Sequence, residues 1–270
     1  MNAFEMNAIK AGMKAVWMAG DFGRIAKFNE PAAAAFAARL GVTAGMRVLD
    51  VACGTGNLAL AAARAGADVT GVDIAPNLLD QARANARRDG LSVGFDEGDA
   101  EDLPYEDASF DLVASMFGAM FAPRPARAAA ELIRVCRPGG TIAMANWTPG
   151  GFIGEQHVIM ARHLPFPPGM PNPIEWGDAA KVRERLGAGV TNLRMTPVMA
   201  SMRFPFPVAE TVEFFRTWFG PAQRAFAMLP PHRQPALRRD MEAVYEKYNR
   251  ATDGTTHVEA EYLAVVATRA

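Results

Sequence analysis

Val48-Leu49-Asp50-Val51-Ala52-Cys53-Gly54-Thr55-Gly56-Asn57-Leu58 is the stretch that decides the fold of this chain. Its apolar start reads as a short strand, its acid and paired glycines as a tight turn, and the Ala-rich continuation as a helix. A turn at the carboxyl end of the first parallel strand is where open α/β sheets bind nucleotide-like ligands. Glycines there admit backbone angles that other residues avoid, and they let the main chain come close to a ligand.

Three readings of this turn compete. Gly54-Thr55-Gly56-Asn57-Leu58-Ala59 fits the G-x-G-x-x-A dinucleotide fingerprint. A carboxylate just before the glycines would repel the two phosphates of such a ligand at short range. S-adenosylmethionine carries no phosphate, and its methionine end bears an ammonium and a sulfonium, so Asp50 favours it. A turn that serves packing alone is the third reading, and the acid at this spacing argues against it.

Composition narrows the class. The 270 residues suffice for one α/β domain with additions or two small domains. Half the residues are hydrophobic and 21% are charged, which supports a large core rather than a disordered chain. A formal net charge of −1 lacks the broad basic field of a nucleic-acid binder, so no nucleic-acid partner is expected. Two cysteines, Cys53 and Cys136, form no disulfide framework and have no metal-ligand spacing, so no metal site is expected. Met1 to Lys10 lacks the pattern of a secretory leader, and no apolar run reaches the roughly 20 residues that span a bilayer. A soluble, cytoplasmic protein without membrane insertion is the expectation.

The rhythm along the chain is β-α-β-α. Helical spacing runs from Glu5 to Met18 and is broken by Gly20-Asp21-Phe22-Gly23, and Pro31 starts a second helix ending near Leu40. Strands are expected at Arg47 to Val51, Asp68 to Val72, Ser92 to Glu97, Phe110 to Ala114 and Thr141 to Asn146. Helices are expected at 57 to 65, 76 to 88 and 126 to 136. Residues 148 to 177 hold Pro149, Pro165, Pro167, Pro168, Pro171 and Pro173 and read as a proline-ordered excursion. Asn192 to Phe204 reads as a strand, 208 to 250 mostly as helices, and His257 to Thr268 as a final buried strand. This alternation predicts a doubly wound α/β sheet.

In five blocks the chain resembles the class I S-adenosylmethionine-dependent methyltransferases, most of all the ubiquinone/menaquinone-biosynthesis type group. The blocks are Val48 to Gly56, Gly71-Val72-Asp73, Gly98-Asp99-Ala100-Glu101-Asp102-Leu103-Pro104-Tyr105, Phe110-Asp111-Leu112-Val113 and Arg137-Pro138-Gly139-Gly140. Any one would be weak; five in order over residues 40 to 147 are specific. The resemblance implies seven strands in the order 3-2-1-4-5-7-6 with the last antiparallel. It also implies an N-terminal helical lid (1–40) on a methyltransferase domain (41–270). Inserted segments 148–190 and 205–255 would cap the carboxyl edge of the sheet.

Site roles follow from the resemblance, position by position. Gly54 and Gly56, with Ala52 beside them, pass the methionine moiety, and Asp50 holds its cationic end. Asp73, 23 residues after Asp50 at the end of strand two, accepts from both ribose hydroxyls. Ile74 packs on adenine, Asp99 accepts from the adenine amino group, and the Ala100 amide donates to a ring nitrogen. Asp99 could instead be a turn former and Asp73 a helix cap. Ser115 and Met116 follow strand four beside the sulfonium. The product would be S-adenosylhomocysteine.

The acceptor is narrowed by what is missing. Ser115-Met116-Phe117-Gly118 differs from the acid or amide followed by two prolines of amino-methylating nucleic-acid enzymes. Met116, Phe117, Met120, Phe121, Trp147 and Phe152, with Trp17 and Phe22 from a bending N-terminal segment, suggest a pocket for a small apolar or aromatic molecule. Ordinary core packing is the competing reading for these residues. Tyr105, His157, His163, His232 and His257 are the titratable candidates, and none is singled out as a base. A non-catalytic S-adenosylmethionine-binding protein and an NAD-dependent oxidoreductase are the alternatives weighed.

Overall fold

The computed structural model describes residues 3–165 and 170–270, so Met1, Pro167 and Pro168 lie outside the described residues. Three helices come first: α1 (Ala3–Trp17), α2 (Phe22–Ala26) and α3 (Glu30–Arg39). Then follow β1 (Arg47–Val51), α4 (Asn57–Arg64), β2 (Asp68–Asp73), α5 (Pro76–Arg88), β3 (Gly94–Glu97) and β4 (Phe110–Met116). The next four are α6 (Pro125–Val135), β5 (Cys136–Trp147), α7 (Phe152–His163) and α8 (Ala179–Leu186). The chain closes with β6 (Val190–Phe204), α9 (Val208–Trp218), α10 (Gly220–Met228), α11 (Gln234–Tyr248) and β7 (Thr256–Arg269).

The seven strands form one sheet in the order β3-β2-β1-β4-β5-β7-β6. β1 pairs in parallel with β2 and β4, while β7 runs antiparallel to both β5 and β6. This is the expected topology, closing strand included. The right-handed rule for parallel crossovers places α4 and α5 on one face of the sheet and α6 on the other, because those connections advance toward opposite edges. β4 and β5 are buried on both faces, which is why Leu112-Val113-Ala114 and Ile142-Ala143-Met144-Ala145 read as apolar runs without alternation. On α6 the apolar stripe Ala128, Ala129, Leu132 and Val135 faces the core.

Three stretches depart from the sequence reading. The excursion 148 to 177 contains a regular helix, α7, whose Phe152 packs against Tyr245 and Tyr248 of α11. Its prolines lie outside those twelve residues and so do not break it. β5 starts five residues earlier than expected, at Cys136. Its pairing with β4 jumps from Phe110↔Cys136 to Leu112↔Thr141, so Arg137-Pro138-Gly139-Gly140 is a bulge within the strand. β3 starts at Gly94 rather than Ser92; only Phe95 of its four residues is buried, so alternation gives no clear start.

The N-terminal helices are tied to the helices between β6 and β7. Asp21 donates its backbone N–H to the Trp218 carbonyl at 2.9 Å, and Gly20 bridges Phe219. Gly20 has φ +68°, and a Cβ there would run into the Trp218 carbonyl. Trp17 and Phe22 meet Phe219 with ring centroids 6.1 and 6.2 Å apart, and the Arg24 guanidinium lies 4.2 Å above the Trp218 ring. Phe214 and Phe215 pack internally on Phe28, Phe206, Phe204 and Tyr245. α8 packs against α6. Among the described residues no helix is long and apolar enough to cross a membrane.

Candidate active site

A cleft of about 1110 Å³, open solvent at its mouth included, lies where β1, β2 and β4 end. Its floor is Asp50, Ala52, Cys53 and Gly54 from the β1 end, Asp73 and Ile74 from β2, and Met116, Phe117 and Gly118 from β4. Gly98, Asp99 and Ala100 close one side. Lys10, Met13 and Trp17 of α1, one helical face by their spacing, form a wall, and Phe22, Ala26, Asn29 and Ala33 continue it. The cleft is large enough for a nucleoside-sized ligand with an acceptor beside it.

Two buried acids lie at the strand ends. Asp73, 7% exposed, accepts from the Gly54 N–H at 2.8 Å through one oxygen and from the Ala75 N–H at 2.9 Å through the other. Each oxygen keeps a further lone pair. Burial raises its pKa, against the pull of those backbone donors. Asp50, 2% exposed, accepts from the Ala59 N–H at 2.9 Å, and burial pushes its carboxyl up to about 8. Cys53 lies beside both acids, and burial together with their charges pushes its thiol up, so it is an unreactive filler of the turn.

The Gly98–Ala100 side of the cleft holds a feature absent from the sequence reading. Asp99 Oδ1 accepts from the Glu101 N–H at 2.9 Å, which is the turn-forming role. Its Oδ2 meets Lys10 of α1, and the same ammonium lies 2.6 Å from fully buried Glu101, which also holds Arg124 at 2.7 Å. Lys14 pairs with Glu97 one turn on. The first helix is thus fastened across the loop after β3 by two lysines.

The strand-end turns are strained where they approach each other. Ala52 and Phe117 have φ of 56° and 57°, a region that costs non-glycine residues of order 1 kcal/mol or more. Gly54 and Gly56 adopt φ 55° and 87° without that cost. A Cβ on Gly118 would sit 2.6 Å from Ala52 Cβ and against the Ala52 carbonyl oxygen. Gly118→Ala is therefore expected to push the two turns apart and weaken ligand binding about tenfold or more, with unfolding stability lowered by ~1–3 kcal/mol. Titration calorimetry and urea unfolding measure both; wild-type values for the variant contradict this account of the turn.

The structure brings Asp50, Ala52, Gly54, Asp73, Ile74, Asp99, Ala100, Met116, Trp17, Phe22 and Phe117 to the cleft. It does not bring the remaining expected residues there. Gly56 starts α4 and faces Phe95 and Ala82 behind the loop. Ser115 is buried and its Oγ accepts from the Ala119 N–H at 2.9 Å, so it braces the turn after β4. Met120 is 1% exposed in the core, and Trp147 stacks behind Phe117 with centroids 3.5 Å apart. Phe152 belongs to the α7–α11 contact. These four side chains are apolar or small, and sequence alone does not separate pocket wall from the core layer beneath it.

None of the titratable candidates lines the cleft. Tyr105 donates to Asp96, His163 pairs with Asp240, and His257 lies between Ser201 and Glu259. His232 sits in the short turn before α11. His157 stacks on Phe121, itself a cleft residue, and burial lowers its pKa. Lys10, Met13 and Asn29 line the cleft and escaped the sequence reading, whereas Phe121, expected in the pocket, does line it. The 10/13/17 spacing on α1 is the one signal that could have found two of them.

Buried acids at two strand ends, a glycine approach and an apolar wall are chemically compatible with an adenosyl sulfonium. Residues 49–144 match the methyltransferase domain family. An uncharacterized protein of Mycobacterium tuberculosis (strain H37Rv) is 36% identical over 98% of this chain and 97% of its own length. The demethylmenaquinone methyltransferase of Thermus thermophilus is 42% identical over 44% of this chain and 57% of its own. A Haemonchus contortus phosphoethanolamine N-methyltransferase, solved with S-adenosylhomocysteine, shares the fold at 18% identity. Its TM-score is 0.58, with 88% of this chain and 52% of that one covered. The chain belongs to the class I S-adenosylmethionine-dependent methyltransferases. It is an enzyme that uses S-adenosylmethionine and releases S-adenosylhomocysteine.

Proposed function

We propose that the methyl acceptor is a small, uncharged or cationic molecule with an apolar or aromatic body, bound against Trp17, Phe22, Phe117 and Phe121. The observation that carries this is the charge of the cleft. Among the described lining residues Lys10 is the one cation, and Asp99 and Glu101 already hold it. A phosphate or carboxylate acceptor would find no free counter-charge among these lining residues. Trp17 stands at the centre of the aromatic wall, 5.8 Å from Phe22 and 5.1 Å from Phe121 in edge-on contacts.

In this reading Asp73 binds the ribose hydroxyls, Asp50 the methionine end, and Ile74 with Ala100 the adenine. The donor supplies an activated methyl group for in-line displacement. The chain's own contribution is to hold the acceptor atom in line and exclude water, which is worth about 7–11 kcal/mol in favourable cases. Residues 1–40 act as a lid. The segments 148–190 and 205–255 act as a cap over the carboxyl edge of the sheet, and the Asp21–Trp218 hydrogen bond and the Trp17–Phe219 contact that join the lid to the second segment support that reading.

A panel of metabolites screened for S-adenosylhomocysteine release tests the acceptor class. Turnover is expected with neutral aromatic or lipid-like compounds and not with their phosphorylated analogues; the reverse order of activity would contradict it. Trp17→Ala is expected to raise the acceptor KM about tenfold, the loss of a well-packed aromatic contact, with an unchanged circular dichroism spectrum. Unchanged KM and unchanged donor affinity would remove Trp17 from the site.

A further inference from the structure

Asn29 sits at the N-cap position of α3, yet its side chain makes no capping hydrogen bond. Asparagine is among the residues that usually cap a helix in this way. Its Oδ1 is shut off from solvent and has no hydrogen-bond partner, while the residue lines the cleft. Buried carbonyl oxygens of this kind are ordinarily paired. Ala26, Asn29 and Ala33 recur at helical spacing, so one face of the α2–α3 run forms this wall. The Ala26 carbonyl accepts from Asn57 Nδ2 at 2.8 Å, which joins the wall to the first turn of α4. In that same turn the Ala59 N–H donates to Asp50. Asn29 thus lines the same cleft as Asp50, three residues after the point where its wall is tied to the α4 start.

We propose that Asn29 Oδ1 is a second acceptor, beside the Asp50 carboxyl, for the α-ammonium at the amino-acid end of the methyl donor. This assignment rests on the donor placement given above. An ammonium presents three N–H donors. The two oxygens of a single carboxyl face at most two of those three N–H groups, which leaves one for another acceptor. A neutral amide oxygen supplies one without adding a third buried acid to a corner that already holds Asp50 and Asp73, where like charges disfavour each other. Asn29 would then distinguish ligands that carry the amino-acid end from those that lack it. That is a selectivity the adenosine-binding residues cannot provide.

Titration calorimetry with two thioethers tests this: S-adenosylhomocysteine, which has the amino-acid end, and 5′-methylthioadenosine, which lacks it. Asn29→Leu is expected to weaken the first about tenfold or more and the second by less than about twofold. Asn29→Ala, which removes the oxygen without adding bulk, should show the same split if the leucine variant folds poorly. Equal losses for both ligands, or no loss for either, would overturn the assignment. Wild-type protein that binds neither thioether would instead defeat the donor placement itself.

Discussion

Asp73→Ala is expected to weaken S-adenosylhomocysteine binding by about a hundredfold or more. Hydrogen bonds to a charged group contribute ~1.5–3 kcal/mol each, and two ribose hydroxyls would lose theirs together. The same carboxylate also anchors the site, because its oxygens accept from the Gly54 and Ala75 N–H groups. Its removal leaves both donors buried and unpaired, and it frees the turn that carries Ala52 to Gly56. Adenosine, which keeps the ribose but not the amino-acid end, should lose affinity to a similar degree. A variant that binds both ligands as the wild type does would show that the ribose lies elsewhere.

The second large effect is a pH dependence centred on Asp50. Burial raises its carboxyl from 3.8 to about 8 in the folded chain, so at neutral pH it is protonated when folded and ionised when unfolded. The stability this difference contributes is fully present below pH 3.8 and is lost as pH rises through about 8. The slope from this group is up to ~1.4 kcal/mol per pH unit. Asp73, also raised by burial, adds a slope of the same sign. Urea unfolding of the ligand-free protein between pH 5 and 8 should therefore show falling stability, with a shallower fall in Asp50→Asn. A cationic ligand end reverses the preference and favours the ionised form. Donor binding below pH 8 should thus release protons, and affinity should rise with pH by at most about tenfold per unit. Calorimetry in two buffers of different ionisation enthalpy counts the protons; identical counts for wild type and Asp50→Asn would rule out this coupling.

What the sequence showed and what it hid have separate physical causes. The β1 turn was legible because its requirements are local: Gly54 and Gly56 for positive φ, an acid at the strand end, an apolar run before it. Asp73, Asp99 and Met116 were placed by the family resemblance, and the cleft gathers them because parallel strands align their carboxyl ends. The strand order came from the family resemblance, and the antiparallel β7 agrees with it. Lys10 and Asn29 were hidden because their partners lie far away in sequence or are absent from the protein itself. Lys10 reaches Asp99 and Glu101 across some 90 residues, a pairing no periodicity encodes. Trp147 and Phe152 show the opposite error. They are apolar and near the correct strand end, but Trp147 supports Phe117 from behind and Phe152, on α7, packs against α11. α7 was obscured by flanking prolines that punctuate the segment without interrupting those twelve residues.

The most direct measurement is a crystal structure of the protein with S-adenosylhomocysteine. The account predicts both ribose hydroxyls within hydrogen-bonding distance of the Asp73 carboxylate, the amino-acid end at Asp50, and the sulfur facing the Met116–Phe117 turn. The ligand bound outside the cleft, or reversed so that its ribose faces away from Asp73, would contradict it.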